Sequence, residues 1–235
     1  MLLLFDIDGT LLQSASGTHA EALHEALRRV HGVDSRGMWK SISPAGRTDG
    51  EIARLILLDC GVSAERIDAR ADRVREECCR AYARMVEEDL RSHVVPGMPS
   101  VLEWLAGLDG VRLSLVTGNY EAVARLKLRR AGIGAFFPSG QGGFGSDHED
   151  RVALPPLARR RAGSRGMPYP REQTIVIGDT PRDIACARAD GLRCVAVTTG
   201  PYGADELVQA DAVAENTGEL RAALESELAA VARET

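Results

Sequence analysis

Leu2-Leu3-Leu4-Phe5-Asp6-Ile7-Asp8-Gly9-Thr10-Leu11-Leu12 opens the chain, four apolar residues running straight into two carboxylates two positions apart. A short unbroken apolar run predicts a strand buried on both faces, as strands of a parallel sheet are. Residues that follow such a strand lie at its carboxyl end, where open parallel sheets keep their ligand crevices. Side chains two apart share a face, so Asp6 and Asp8 are expected on one side if the strand persists. At an effective dielectric near 20, two carboxylates about 4 Å apart repel by roughly 4 kcal/mol, so the pair needs a cation or a shared proton. Mg²⁺ suits oxygen ligands of this kind. The alternative is a plain turn signalled by Asp-Gly and capped by the first Asp. The apolar run leading directly into Asp6 weighs against a solvent-facing turn.

The 235 residues allow one large domain, or a core carrying a second small one. A net charge of −5 gives no global attraction for nucleic acid or an anionic membrane, so anions need a local positive site. No stretch has the apolar length of a membrane span, and Leu2 to Phe5 runs into charge without a signal-peptide pattern, so a cytoplasmic protein is expected. Cys60, Cys78, Cys79, Cys186 and Cys194 are odd in number and lack zinc spacing, which predicts reduced thiols. Among 29 basic side chains, Lys40 and Lys127 are the only lysines.

Further along, Ala20, Leu23, Leu27 and Val30 recur at helical spacing before Gly32, predicting a helix over about 17–31. Ile52, Leu55 and Ile56 mark a second helix, and the stripe from Ile67 through Val74, Cys78 and Ala81 to Met85 a long third one reaching about Leu90. Val94-Val95-Pro96-Gly97 punctuates the end of this helical block. Beyond it, short apolar runs alternate with helices: Leu113–Val116 stops at Thr117-Gly118-Asn119, Thr174–Ile177 stops at Gly178-Asp179-Thr180, and Cys194–Val197 follows. A short edge strand at 211–213 and a terminal amphipathic helix through Leu220, Leu224 and Leu228 complete the pattern. This alternation predicts an α/β fold with a doubly wound parallel sheet, residues 1–13 and 94–235 forming the core and 14–93 an inserted α-helical cap over the sheet's carboxyl edge.

Three strand ends then carry polar groups along one edge: Asp6 and Asp8; Thr117, Gly118 and Asn119; Asp179, Thr180 and Asp183. Each cluster alone is an ordinary helix cap. Together, in this order, they resemble the haloacid dehalogenase superfamily of phosphohydrolases, and the helical segment between the first two signatures resembles its phosphoglycolate phosphatase-like and β-phosphoglucomutase-like members. The resemblance spans the whole chain. It implies a Rossmann-like core in which Asp6 attacks phosphorus to become an aspartyl phosphate, while Asp8 protonates the leaving oxygen and then activates water. As a general acid Asp8 would need its proton retained by negative neighbours or by desolvation. Asp6, the backbone carbonyl of Asp8, and Asp179 would bind Mg²⁺, with Asp183 supporting the metal or serving as a first-turn helix acid. Thr117, Gly118 and Asn119 would donate to phosphoryl oxygens.

The family lysine that ties nucleophile to phosphate has no counterpart after Lys127, and Arg151 stands at a suitable distance. Arg151 is expected in that role, although a guanidinium is not equivalent to an ammonium, and a surface arginine beside Glu149 and Asp150 is the alternative. Lys127 is the second candidate for that role, but two turns into a helix its reach is difficult and a solvated side chain is expected. Arg47 matches the cap position at which relatives touch the nonreacting end of the substrate, with a salt bridge to Asp49 or a nearby Glu as the alternative. The second aspartate, Asp8, favours phosphoryl transfer over carbon-halogen cleavage. Gly142 to Gly145 reads as a flexible connection, Arg159-Arg160-Arg161 as a solvated helix face, and the scattered histidines do not make a zinc site. The expected function is a Mg²⁺-dependent phosphatase acting on a small phosphorylated metabolite, as monomer or homodimer, with no nucleic-acid or membrane partner. A phosphomutase, or a phosphate-binding module that has lost turnover, is the alternative.

Overall fold

The computed structural model describes residues 1–37 and 42–234, with side chains through residue 231, so Lys40 lies outside the described residues. Strands β1 (Leu2–Phe5), β2 (Arg112–Thr117), β3 (Gly143–Phe144), β4 (Thr174–Gly178), β5 (Arg193–Val197) and β6 (Ala212–Ala214) form a six-stranded sheet. Their order is β3-β2-β1-β4-β5-β6, and every pairing is parallel.

The opening apolar run is unbroken because both faces of β1 are covered. Leu3 and Phe5 pack with Leu113, Leu115, Ile175 and Ile177 beneath α5 (Met98–Ala106), α6 (Glu121–Arg130) and α9 (Thr217–Glu234). Leu2 and Leu4 face the opposite way, joining Val116, Val176 and Cys194 beneath α7 (Leu154–Ala162) and α8 (Pro181–Ala189). All four β1 side chains are fully buried, each contributing about 1.5–3 kcal/mol of transfer free energy. The parallel sheet covered by helices on both sides is the α/β architecture expected.

Between β1 and β2 the chain forms α1 (Gly17–His31), α2 (Asp49–Asp59), α3 (Ala64–Asp68) and α4 (Ala71–Met85). Gly32 ends α1 in the left-handed conformation, and the Thr48 hydroxyl caps α2 by accepting from the Glu51 amide at 3.1 Å. The single long helix expected from Ile67 onward is broken at Arg70, whose φ of −126° and ψ of 6° are not helical. There the Arg70 guanidinium donates to the Val30 carbonyl at 2.8 Å and the Arg66 guanidinium to that of His31 at 3.4 Å, satisfying the orphan end of α1. The break turns α4 so that it packs along α1.

Two further expectations are corrected. The glycine-rich stretch is no loose connection: Gly143 and Phe144 pair with Val116 and Thr117, and Asp147 accepts from the Phe144 amide at 2.9 Å while held by Arg161 at 2.6 and 2.7 Å. Arg159 is not solvated either. It is buried against Asp190 through two bonds of 2.7 and 3.0 Å, tying α7 to the end of α8. The five cysteines are free thiols, and none of the described helices is long and apolar enough to cross a membrane.

Candidate active site

The strand order places β1 between β2 and β4, so the three polar clusters come side by side at one sheet edge. Immediately after β1 the chain tightens. Leu11 and Leu12 both donate to the Ile7 carbonyl at 2.9 Å, and Gly9 donates back to Leu12 at 2.7 Å. Gly9 sits at φ +86°, and a Cβ there would overlap the Asp179 carboxylate, so both backbone and approach require glycine. Because the strand stops at Phe5, Asp6 and Asp8 do not share an extended face but divide between two sets of partners.

Asp6 belongs to an acidic cluster. Asp6, Asp179 and Asp183 each offer a carboxylate oxygen within 4.8 Å of the others, and all three are buried. Asp179 accepts from the Thr10 hydroxyl at 3.1 Å. Asp183 accepts from the Thr180 amide at 3.0 Å and its hydroxyl at 2.7 Å, so this residue caps α8 and joins the cluster at once. Arg151, on a single 3-10 turn just before α7, is buried with its guanidinium bonded to Asp183 and 3.3 Å from Asp6. Of the two basic residues expected to compete for contact with the nucleophile, Arg151 stands beside Asp6 and Lys127 beside Asp8. Its other amino group donates to the Gly46 carbonyl at 3.1 Å.

One guanidinium among three buried carboxylates leaves negative charge in excess. Burial pushes the Asp6 carboxyl up to about 6 against the pull of Arg151, with Asp183 and Asp8 adding to the rise. Burial, Asp183 and Asp6 push Asp179 up to about 9 in spite of the Thr10 hydrogen bond. A cation relieves that repulsion, and an all-oxygen donor set selects a hard one, so these residues fit Mg²⁺.

Asp8 turns toward α6. Lys127 Nζ donates to both Asp8 oxygens, at 2.8 and 2.6 Å, and Asn119 Nδ2 donates to one at 2.9 Å. Lys127 is fully buried, contrary to the expected solvated side chain. The reason is its place on α6: it follows Val123 by four and Ala124 by three, on the stripe those buried residues define. That spacing, together with the near absence of lysine from the chain, was the signal available in the sequence. Burial alone would raise the Asp8 carboxyl, but the Lys127 charge, with the Lys127 and Asn119 hydrogen bonds, outweighs it and holds it below the usual carboxylate range. In this arrangement the neighbours of Asp8 favour its ionised form, so the proton expected of a general acid needs a further negative group beside it. Asn119 also donates to Thr117 Oγ1 at 3.1 Å, so both its amide hydrogens are engaged inside the site.

The Ser43–Arg47 segment lies over Gly118, where any Cβ would overlap the Arg47 carbonyl. Arg47 pairs with Glu51 and donates to the Ser43 carbonyl at 3.0 Å. The helical block roofs a cavity of about 1000 Å³ whose lining includes Asp6, Asp8, Arg47, Asn119, Arg151 and Asp179. Also lining it are two residues the sequence did not single out for a role, His19 and Asp49.

Residues 3–188 match the family model for haloacid dehalogenase-like hydrolase. The protein named "Probable phosphatase IndB" of Dickeya dadantii is 30% identical over 224 residues, covering 89% of this chain and 86% of that one. Phosphoglycolate phosphatase of Pseudomonas syringae pv. syringae is 29% identical over 204 residues, covering 85% of this chain and 70% of that protein. Among solved structures, a hydrolase from Pseudomonas syringae superposes with a TM-score of 0.64 at 23% identity over 96% of this chain and 98% of that one. β-Phosphoglucomutase from Clostridium difficile superposes with a TM-score of 0.64 at 18% identity over 98% of each chain. With the family model covering most of the chain and the polar strand ends assembled at one edge, this chain belongs to the haloacid dehalogenase-like hydrolase family.

Proposed function

We propose that the chain is a Mg²⁺-dependent phosphatase that hydrolyses a small phosphomonoester of the cytoplasm through an aspartyl phosphate on Asp6. The observation that carries this reading is the division of labour at the end of β1. Asp6 lies with Asp179, Asp183 and Arg151, while Asp8 next to it is held by Lys127 and Asn119. Residues 14–93 act as the cap, and 1–13 with 94–235 as the catalytic core.

In the first step an Asp6 oxygen attacks phosphorus, and the bond to the leaving oxygen breaks as Asp8 gives that oxygen a proton. The phosphoryl group entering beside Asp8 adds negative charge, which favours the protonated acid. In the second step Asp8, ionised again, takes a proton from the water that attacks the aspartyl phosphate, releasing phosphate and restoring the Asp6 carboxylate. Arg151 balances charge on Asp6 and Asp183 throughout. The buried Thr117 hydroxyl and the Gly118 amide would donate to the transferring oxygens, where developing charge needs preorganised donors. Asp6, Asp179 and the backbone carbonyl of Asp8 would hold Mg²⁺ with Asp183 supporting them, and the bound ion would neutralise the phosphate and these carboxylates. Arg47, in the cavity roof, would meet the leaving group.

Asp6→Asn removes the nucleophile with little change in volume. Metal-dependent hydrolysis of an aryl phosphate should fall to background in the folded variant, and undiminished turnover would overturn the assignment. A phosphomonoester panel that includes phosphoglycolate, the substrate named for the Pseudomonas relatives, identifies the leaving group. Release of inorganic phosphate rather than an isomerised sugar phosphate separates hydrolysis from mutase chemistry.

A further inference from the structure

A closed ring of polar contacts links the acid/base residue to the helical block. Lys127 Nζ, besides its two bonds to Asp8, lies 3.2 Å from His19 Nδ1. His19 Nε2 lies 3.0 Å from Asp49 Oδ2, and that same oxygen accepts from the Tyr120 amide at 2.7 Å. Tyr120 adjoins Asn119, whose side chain returns to Asp8. His19 stands in the first turn of α1 and Asp49 opens α2, so two members belong to the helical block and the rest to the core. His19, Asp49 and Lys127 are all buried, and the His19 ring packs edge-on against Tyr82 with centroids 5.6 Å apart.

Hydrogen-bond chemistry fixes the direction of the ring. An ammonium has donors and no acceptor, so His19 Nδ1 must accept from Lys127. The imidazole is then the neutral tautomer bearing its hydrogen on Nε2, which donates to Asp49. Lys127 thus receives support from the helical block on one side and aims Asp8 on the other.

We infer that His19 and Asp49 are positioning residues that act through Lys127, so that the Asp8 carboxylate is aimed into the cavity only when the helical block is seated on the core. This rests on the proposed phosphatase reading. The block then does more than exclude water, because its seating completes the geometry of the acid/base group. Neither residue touches the transferring phosphoryl group in this account. Their loss should change the rate of the chemical steps rather than substrate or metal binding.

The test has two arms. In the resting protein, with no substrate, the side-chain ¹⁵N resonances of His19 should show Nδ1 unprotonated and Nε2 protonated, and His24, His31, His93 and His148 supply internal comparison. An Nδ1-protonated tautomer or an imidazolium at neutral pH would overturn the relay. In the kinetic arm, His19→Phe keeps a ring against Tyr82 but removes both nitrogens. With an aryl phosphate, kcat should fall at least about tenfold, or about 1.4 kcal/mol, while KM and half-saturating Mg²⁺ stay within about twofold. Asp49→Ala should give a similar split, and the double variant should lose no more than the worse single one, since both break one chain. His19→Gln, which keeps an acceptor for Lys127, should recover part of kcat. Unchanged kcat, a KM that rises in step with the loss, or additive losses would each refute the inference. If the wild-type protein hydrolyses no phosphomonoester, the phosphatase reading fails instead, and the tautomer measurement alone decides the ring.

Discussion

Lys127→Met keeps the buried stem on the α6 stripe and deletes only the ammonium. What remains is Asp8 without its two shortest bonds, facing Asn119 alone. Removing one partner of a buried ion pair costs about 3–5 kcal/mol, because the other charge is left uncompensated. The Asp8 side chain keeps 27% of its surface open to the cavity, while that of Lys127 has none, so the lower end of the range, about 3 kcal/mol, applies. Urea unfolding at neutral pH should show this loss as a lower midpoint with an unchanged m-value. Adding Asp8→Asn removes the stranded charge and should recover at least half of it. The sign with pH follows from linkage. In the wild type the Asp8 carboxyl is held down, so its contribution is present above the unfolded value of about 3.9 and is lost as pH falls through the folded one. In the variant that carboxyl is pushed up by burial, and its penalty is relieved as pH falls. The stability gap must therefore narrow on acidification from neutral pH. A loss below about 1 kcal/mol, a double variant no better than the single, or a gap that widens in acid would refute this account of why Lys127 is inside.

Because burial and mutual repulsion raise Asp6 to about 6 and Asp179 to about 9, Mg²⁺ must displace protons, so apparent affinity should rise with pH between about 5 and 9. Calorimetry in buffers of different ionisation enthalpy measures the protons released at pH 7, and zero release would contradict the charge excess. Arg151→Ala strands Asp6 and Asp183 together and should lower kcat by at least about a hundredfold, whereas Arg151→Lys, a point charge without the two-way fork, should fall between the two. Equal activity of Arg151→Lys and wild type in a steady-state assay would show that the fork is dispensable.

Much of the core and part of the site were legible because they depend on local pattern. The apolar runs of β1, β2 and β4 stop where polar residues begin, and in a parallel sheet those ends must share an edge. Arg151 could be picked out by its distance from the other clusters in the chain. Lys127, His19 and Asp49 could not be joined from sequence, since they meet through the packing of α1 and α2 against α6, which lies more than sixty residues further along the chain. Helical periodicity could have marked Lys127 as inward, but a charged residue on an apolar stripe is ordinarily solvated unless a partner waits for it. That partner, Asp8, was assigned a different electrostatic setting because the turn after Phe5, which separates it from Asp6, is a tertiary feature held by Gly9 against Asp179. The break at Arg70 escaped for a related reason: it answers the carbonyls of α1, not anything within its own segment.

The contact of the Arg47 carbonyl with Gly118 marks one point on a seam that also includes Asp49 N to Gly118 O at 2.8 Å, Tyr120 N to Asp49 Oδ2 at 2.7 Å, Arg151 to Gly46 O at 3.1 Å and the Thr48 hydroxyl to Glu149 O. Each such bond contributes about 0.5–1.5 kcal/mol net, so parting all four costs about 2–6 kcal/mol. These four bonds alone keep the parted state below roughly three molecules in a hundred, a ceiling that protection of the Asp49 amide from hydrogen exchange checks directly. The strength of the seam thus governs how much of the time Gly46, Arg47 and Asp49 stay docked on the strand ends, and with them the shape of the cavity roof.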